Sequence, residues 1–134
     1  MPTLILIRGI PGSGKSTLAE RLMGENDVHL EADMFWGKDY KFDVTKLREA
    51  HEWCLNSAKA AMAVGKGDVI VANTFTQGRE AAKYVESAKC YGYDVQVLSL
   101  SGPWDNIHNV PEEVMEKMRE RFQSNRDFCN ELYI

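Results

Sequence analysis

Eight residues near the amino terminus, Gly9-Ile10-Pro11-Gly12-Ser13-Gly14-Lys15-Ser16, set an ammonium and a hydroxyl directly behind a glycine-rich turn. The spacing G-x-x-x-x-G-K-[ST] is that of a phosphate-binding loop, the Walker A motif. Its chemistry follows from the residue types. Glycines let the backbone curl so that successive N–H groups face one anion. Lys15 reaches toward the β- and γ-phosphates of a nucleoside triphosphate, and Ser16 offers its hydroxyl to Mg²⁺. Gly9, Pro11, Gly12, Ser13, Gly14, Lys15, Ser16 and Thr17 are therefore the expected binding residues for ATP. A helix beginning near Lys15 adds the positive end of its dipole.

Further along, Asp33 follows a short alternating run, Val28-His29-Leu30-Glu31-Ala32. A carboxylate there can take a proton from an acceptor hydroxyl or bind Mg²⁺ through water. Read blandly, it caps Met34-Phe35-Trp36. Asn73 and Thr74 close an apolar run and can hold metal-bound waters, an acceptor phosphate, or simply their own turn. Phosphoryl transfer also needs a stabilising cation. Arg79 stands just after that turn and is the expected catalytic arginine. Arg8, Arg119, Arg121 and Arg126 are alternatives, and His108 is a weaker phosphate contact. Phe35, Trp36 and Phe75 are core aromatics on first reading, with base stacking as the second.

These groups must be carried by regular elements. Leu4-Ile5-Leu6-Ile7 is continuously apolar, as a parallel strand buried on both faces must be. Leu18, Ala19, Leu22 and Met23 give the next segment a helical apolar face over about 15–23. A second strand is expected over 28–32 and a loop over 37–42. A helix over about 44–64 follows, capped by Asp43 and striped by Leu47, Ala50, Cys54, Ala58, Ala61 and Met62. Asp68 to Ala72 and Asp94 to Leu100 read as two further strands. A helix over 79–91 lies between them, with Ala81, Tyr84, Val85 and Ala88 inward. Pro111-Glu112-Glu113 starts a last helix running to about Phe122. Beyond Ser124 a mixed tail is expected to dock through Phe128, Leu132 and Tyr133 or to fray. Alternating strands and helices predict one P-loop NTPase-type α/β domain: a parallel sheet of four to five strands flanked by helices. Right-handed crossovers bring the strand-end loops to one edge, where ligands bind in such folds.

Composition narrows the functional classes. A net charge of −4 is unlike that of a protein coating nucleic acid, though it leaves room for one strand end in a local groove. Cys54, Cys90 and Cys129 have no metal-ligand or disulfide spacing and read as reduced, half-buried thiols of a cytoplasmic protein. No secretory leader and no membrane span is expected.

Several segments together resemble the P-loop polynucleotide kinase family. They are Arg8 to Ala19, Ala32-Asp33-Met34-Phe35, Ala50-His51-Glu52-Trp53, Ala72-Asn73-Thr74, Asn106 to Pro111, and Met118 to Phe122. The family includes the 5′-hydroxyl polynucleotide kinases of phages and a eukaryotic branch of predicted kinases with an AAA-type ATP-binding domain. The Ala-His-Glu-Trp segment matches the eukaryotic branch. The resemblance implies transfer of the γ-phosphate of ATP to a 5′-hydroxyl, with Lys15 and Ser16 holding ATP and Mg²⁺ and Asp33 as general base. Its implied partners are a nucleoside triphosphate and a nucleic acid 5′ end or small nucleotide-like acceptor. Some positions depart from the family pattern. Trp36 stands where a basic residue is frequent, and Ala72 and Phe75 replace polar groups. Asp105 stands where an arginine is common, in a shortened lid.

Two functions are thus open. One is an ATP-dependent phosphotransferase. The other is a catalytically weak nucleotide-binding protein, favoured by the missing carboxylate at the end of the 69–73 strand and by the shortened lid.

Overall fold

The computed structural model describes residues 2–10, 13–36, 44–100 and 112–132. The lid stretch with Asp105 and His108, the loop 37–42, Asp43, Pro11, Gly12 and Tyr133 lie outside the described residues, as does the side chain of Leu132.

The strands β1 (Thr3–Arg8), β2 (Val28–Leu30), β3 (Val69–Asn73) and β4 (Asp94–Ser99) form one parallel sheet in the order β2-β3-β1-β4. The helices are α1 (Lys15–Leu22), α2 (Leu47–Val64), α3 (Ala82–Tyr91), α4 (Glu112–Arg121) and α5 (Asn125–Leu132). Strand periodicity divides the core. On β1, Leu4 and Leu6 join the larger cluster with Ala50, Cys54, Ala58 and Met62 of α2, Tyr84, Val85 and Ala88 of α3, and Phe128 of α5. Ile5 and Ile7 face the other way, packing with Ile70, Ala72 and Ala19 of α1. Because both faces are covered, the alternation invisible in Leu4-Ile5-Leu6-Ile7 becomes an assignment of residues to faces.

Element boundaries moved where side chains capture backbone groups. β2 ends at Leu30 rather than Ala32, because the Ala32 N–H donates to Asn73 Oδ1 (2.8 Å) and the chain turns into a 3₁₀ segment over Ala32–Trp36. The expected 79–91 helix begins as a 3₁₀ turn, Gly78–Ala81, closed by a capping box between Gln77 and Glu80. Gly65 (φ 69°) and Gly92 (φ 75°) end α2 and α3 in the left-handed conformation that favours glycine. The tail beyond Ser124 is helix α5, and Phe128 is its fully buried anchor. The cysteines are free, but only Cys54 is buried; Cys129 is half-buried and Cys90 exposed. No described helix is long and apolar enough to cross a membrane.

Candidate functional site

The phosphate loop leaves the carboxyl end of β1. Gly9 donates its N–H to Thr74 O (3.2 Å), and a Cβ at this position would meet Ser13 Oγ at 2.2 Å and Leu100 O at 3.1 Å, so a larger residue would have to displace the Ser13 hydroxyl. The loop tightens through Ser13 N–H to Ile10 O (3.1 Å) and enters α1 through Gly14, whose φ of 91° a larger residue would resist. The amino end of α1 carries no side-chain cap and no acidic residue, so its first-turn amides face the loop uncompensated. Lys15 sits at this junction with Nζ donating to Ile10 O (3.2 Å). Burial lowers its pKa, an effect opposed by the charges of Glu31 and Asp33. Ser16 follows it, half-buried, and Thr17 is exposed.

Glu31 is the site residue that sequence reasoning did not single out. It is buried at the carboxyl end of β2, and Ser16 Oγ donates to its Oε1 (2.9 Å). Its Oε2 lies 2.6 Å from His29 Nε2. Burial pushes the Glu31 carboxyl up. Hydrogen bonds from His29 and Ser16, aided by the charges of His29 and Lys15, overcome that and hold it below the ordinary carboxylate range. The signal available in the sequence was period two: His29 and Glu31 share one face of a strand whose end must lie beside the loop.

Asp33 projects from the 3₁₀ segment that follows, and Asn73 fixes where that segment starts. Besides accepting from Ala32, Asn73 directs Nδ2 at Cys54 Sγ (3.5 Å), which ties β3 to α2. Asn73 is thus a buried strut between three elements, the turn-forming reading of its role extended across the sheet.

Lys15 and Asp33 line one cavity of about 520 Å³. Its wall runs along α2 through Leu47, Arg48, His51 and Leu55, along the segment after β3 through Thr74, Phe75 and Thr76, and across to Tyr84. Met118 and Arg121 of α4 also line it. The volume and mixed lining suit a small-molecule site. His51 lines the cavity from an exposed position on α2. Desolvation there lowers its pKa, partly offset by Glu80 and Asp33.

The arginines are placed differently from expectation. Arg79 is exposed on the Gly78–Ala81 turn and is not among the cavity-lining residues; its backbone N–H donates to Glu131 Oε1 (2.8 Å). Arg121, one of the alternatives, does line the cavity. Arg8 does not face the loop. It is fully buried, donating to Phe75 O (3.0 Å), Thr76 O (3.2 Å), Gln123 O (2.7 Å) and Ser99 Oγ (3.1 Å), with Phe122 and Phe128 rings 4.1 and 4.0 Å from its guanidinium carbon. Burial pulls its pKa down to about 10, and the group remains charged at neutral pH. Phe75 likewise belongs to the core, packed on Tyr84 and Phe128, while Phe35 packs on Trp36 and Trp53.

A family model described as an AAA domain matches residues 4–124. NEDD4-binding protein 2 of Homo sapiens is 37% identical over 133 residues, covering 90% of this chain but only 8% of that protein's length. A gluconokinase from Sinorhizobium meliloti 1021 has a similar structure, with a TM-score of 0.64 at 19% identity, over 93% of this chain and 77% of that one. A chain in the structure of the Pnkp1/Rnl/Hen1 RNA repair complex is similar with a TM-score of 0.58 at 20% identity, over 98% of this chain and 43% of that one. At such identities the two structural likenesses are of fold alone. The family match covers β1 through α4, including the loop and both cavity walls, and the chain belongs to the AAA-domain family.

Proposed function

We propose that the chain is an ATP-dependent phosphotransferase, whose acceptor is the hydroxyl of a nucleic acid 5′ end or of a small nucleoside-like molecule held in the cavity. One observation carries this reading: the phosphate-loop lysine and the strand-end aspartate line the same cavity. A triphosphate cradled by residues 9–17 would present its γ-phosphate where Lys15 meets that space. An acceptor hydroxyl beside Asp33 would attack phosphorus as the bond to the β,γ-bridging oxygen breaks. The hydroxyl proton passes to the Asp33 carboxylate, and ADP leaves with the bond electrons. Lys15 stabilises charge on the transferring group, and Arg121, which lines the cavity together with Arg48, would add to it.

Ser16 and Glu31 bring hard oxygen donors together, with Asp33 nearby, and that donor set fits Mg²⁺. Mg²⁺ is bound by one or two protein oxygens together with substrate phosphates, not by an all-protein cage. Among the described residues no group of three or more His, Cys, Asp or Glu side chains could hold a metal ion by itself. Ser16 and Glu31 would hold the ion, and Asp33 would act through water. When bound, it neutralises charge on the β- and γ-phosphates. The carboxylate missing from the end of β3, which favoured a binding-only protein, has a counterpart here on the neighbouring strand. The acceptor assignment draws on the family resemblance and on the RNA repair complex among the fold relatives.

Label transfer from γ-labelled ATP to 5′-hydroxyl oligonucleotides and to free nucleosides tests the proposal. Labelled product that disappears with Asp33→Asn is expected. Tight ATP binding with no transfer to any acceptor above that variant would leave the binding-only protein as the better reading.

A further inference from the structure

The buried guanidinium of Arg8 joins parts of the chain that lie far apart in sequence. It lies at the end of β1, immediately before the phosphate loop. Two of its acceptors, Phe75 O and Thr76 O, belong to the cavity wall after β3. A third, Gln123 O, lies two residues beyond α4, the helix that presents Met118 and Arg121. Its ring partners, Phe122 and Phe128, flank the turn between α4 and α5. The wall it holds is under strain, since Phe75 has a φ of 44°, the one described non-glycine residue with positive φ. Such a conformation persists only where surrounding structure over-determines it, and it occurs disproportionately at ligand sites. Gln123 reinforces the same joint. Its N–H donates to Thr76 O (2.8 Å), and its side-chain oxygen accepts from Gly78 N–H (2.8 Å).

We infer that Arg8 is a positioning residue: it holds the strained Phe75 turn and the α4–α5 pair in register with the phosphate loop, and so sets the acceptor side of the cavity without touching either substrate. The inference rests on the kinase reading for its kinetic consequence, though not for its structural one. A guanidinium is needed because three carbonyls, a hydroxyl and two ring faces must be met at once. Lysine keeps the charge but is a compact point donor, without the planar fork that makes these contacts.

The test compares Arg8→Lys with the unmodified chain by hydrogen exchange and by kinetics. Exchange is expected to quicken about tenfold or more over 74–79 and 112–132, while 15–22 and 47–64 exchange as before. With a transferring acceptor in hand, acceptor KM should rise about tenfold while ATP affinity stays within about twofold, a split that general destabilisation does not produce. Phe122→Leu removes one ring face and serves if Arg8→Lys does not fold; the same pattern is expected, weaker. Unchanged exchange at the wall, uniform quickening throughout, or equal losses in ATP and acceptor binding would overturn the inference. If the unmodified chain transfers to no acceptor, the kinase reading fails, and the exchange comparison still decides the role of Arg8.

Discussion

Ser16 Oγ donates to Oε1 of Glu31 across 2.9 Å, which joins the last residue of the phosphate-loop motif to a carboxylate just beyond the second strand. His29 secures the other oxygen of that carboxylate. Replacing Glu31 by glutamine keeps the shape and removes the charge. ATP affinity measured by calorimetry should then fall about 10- to 100-fold with Mg²⁺ present, the scale typical of lost metal-shell groups. Without Mg²⁺ it should change little or improve. Equal effects in the two conditions would remove Glu31 from the metal site.

The same residue makes an acid-stability prediction. Its folded-state pKa lies below the ordinary value of 4.5, so between the two values the unfolded chain binds more protons than the folded one. Its contribution is therefore complete above pH 4.5 and is lost as pH falls through the depressed pKa. Denaturation curves on the acid side should be steeper for the natural chain than for Glu31→Gln. Parallel curves would argue against a stabilising carboxylate.

Lys15 and Asp33 should separate binding from chemistry. Lys15→Met is expected to weaken ATP binding roughly 10- to 100-fold, the worth of a charge-assisted hydrogen bond. Asp33→Asn should bind ATP nearly as well yet transfer about 10²- to 10⁴-fold more slowly, the usual range for a lost general base. Transfer at the natural rate in Asp33→Asn would assign the base elsewhere.

Phe75 offers a test of strain against packing. Its ring meets Tyr84 and Phe128, so Phe75→Ala should destabilise by about 3–5 kcal/mol. At most buried sites glycine is worse than alanine. With φ at 44°, Phe75→Gly should instead be the milder change by about 1 kcal/mol in denaturant melts. The ordinary order would show that the left-handed turn carries no strain.

His51 reports on the cavity directly. Desolvation lowers its pKa from the ordinary 6.5, so at neutral pH the ring is uncharged. Between the folded value and 6.5 the unfolded chain binds the extra proton, and stability declines as pH falls through that window. Its imidazole proton resonances should titrate below 6.5, and a ligand filling the cavity should move the midpoint. A midpoint at or above 6.5 would place the ring outside a desolvated wall.

Local signals carried the fold far. Continuous apolarity at Leu4 to Ile7, the stripe of α2 and the glycines at 65 and 92 each act within a few residues of themselves. The loop was legible for the same reason, since its glycines and Lys15 are neighbours. Glu31 was harder: in an alternating strand it reads as the solvated side, and only the arrival of α1 beside β2 turns that side into a site. Arg8 was illegible altogether. Its acceptors lie 67, 68, 91 and 115 positions away, and a basic residue beside a phosphate loop suggests an anion contact before it suggests a buried strut. Helix α5 is short, and its tertiary contacts, the buried Phe128 and the bonds that Glu131 accepts from Arg79 and Gln123, are not local signals.

The cavity walls divide the chain unequally. On the proposed function, nucleotide chemistry would fall to residues 9–33, a contiguous stretch read in one pass of the backbone. The proposed acceptor side would be assembled from α2, the segment after β3, and α4, which are scattered over the remaining hundred residues. Heritable change can therefore reach acceptor choice by many small routes that leave the nucleotide half untouched. Breaking the nucleotide half needs only one substitution in a single short stretch. A lineage built on this plan would keep its fuel and diversify its targets.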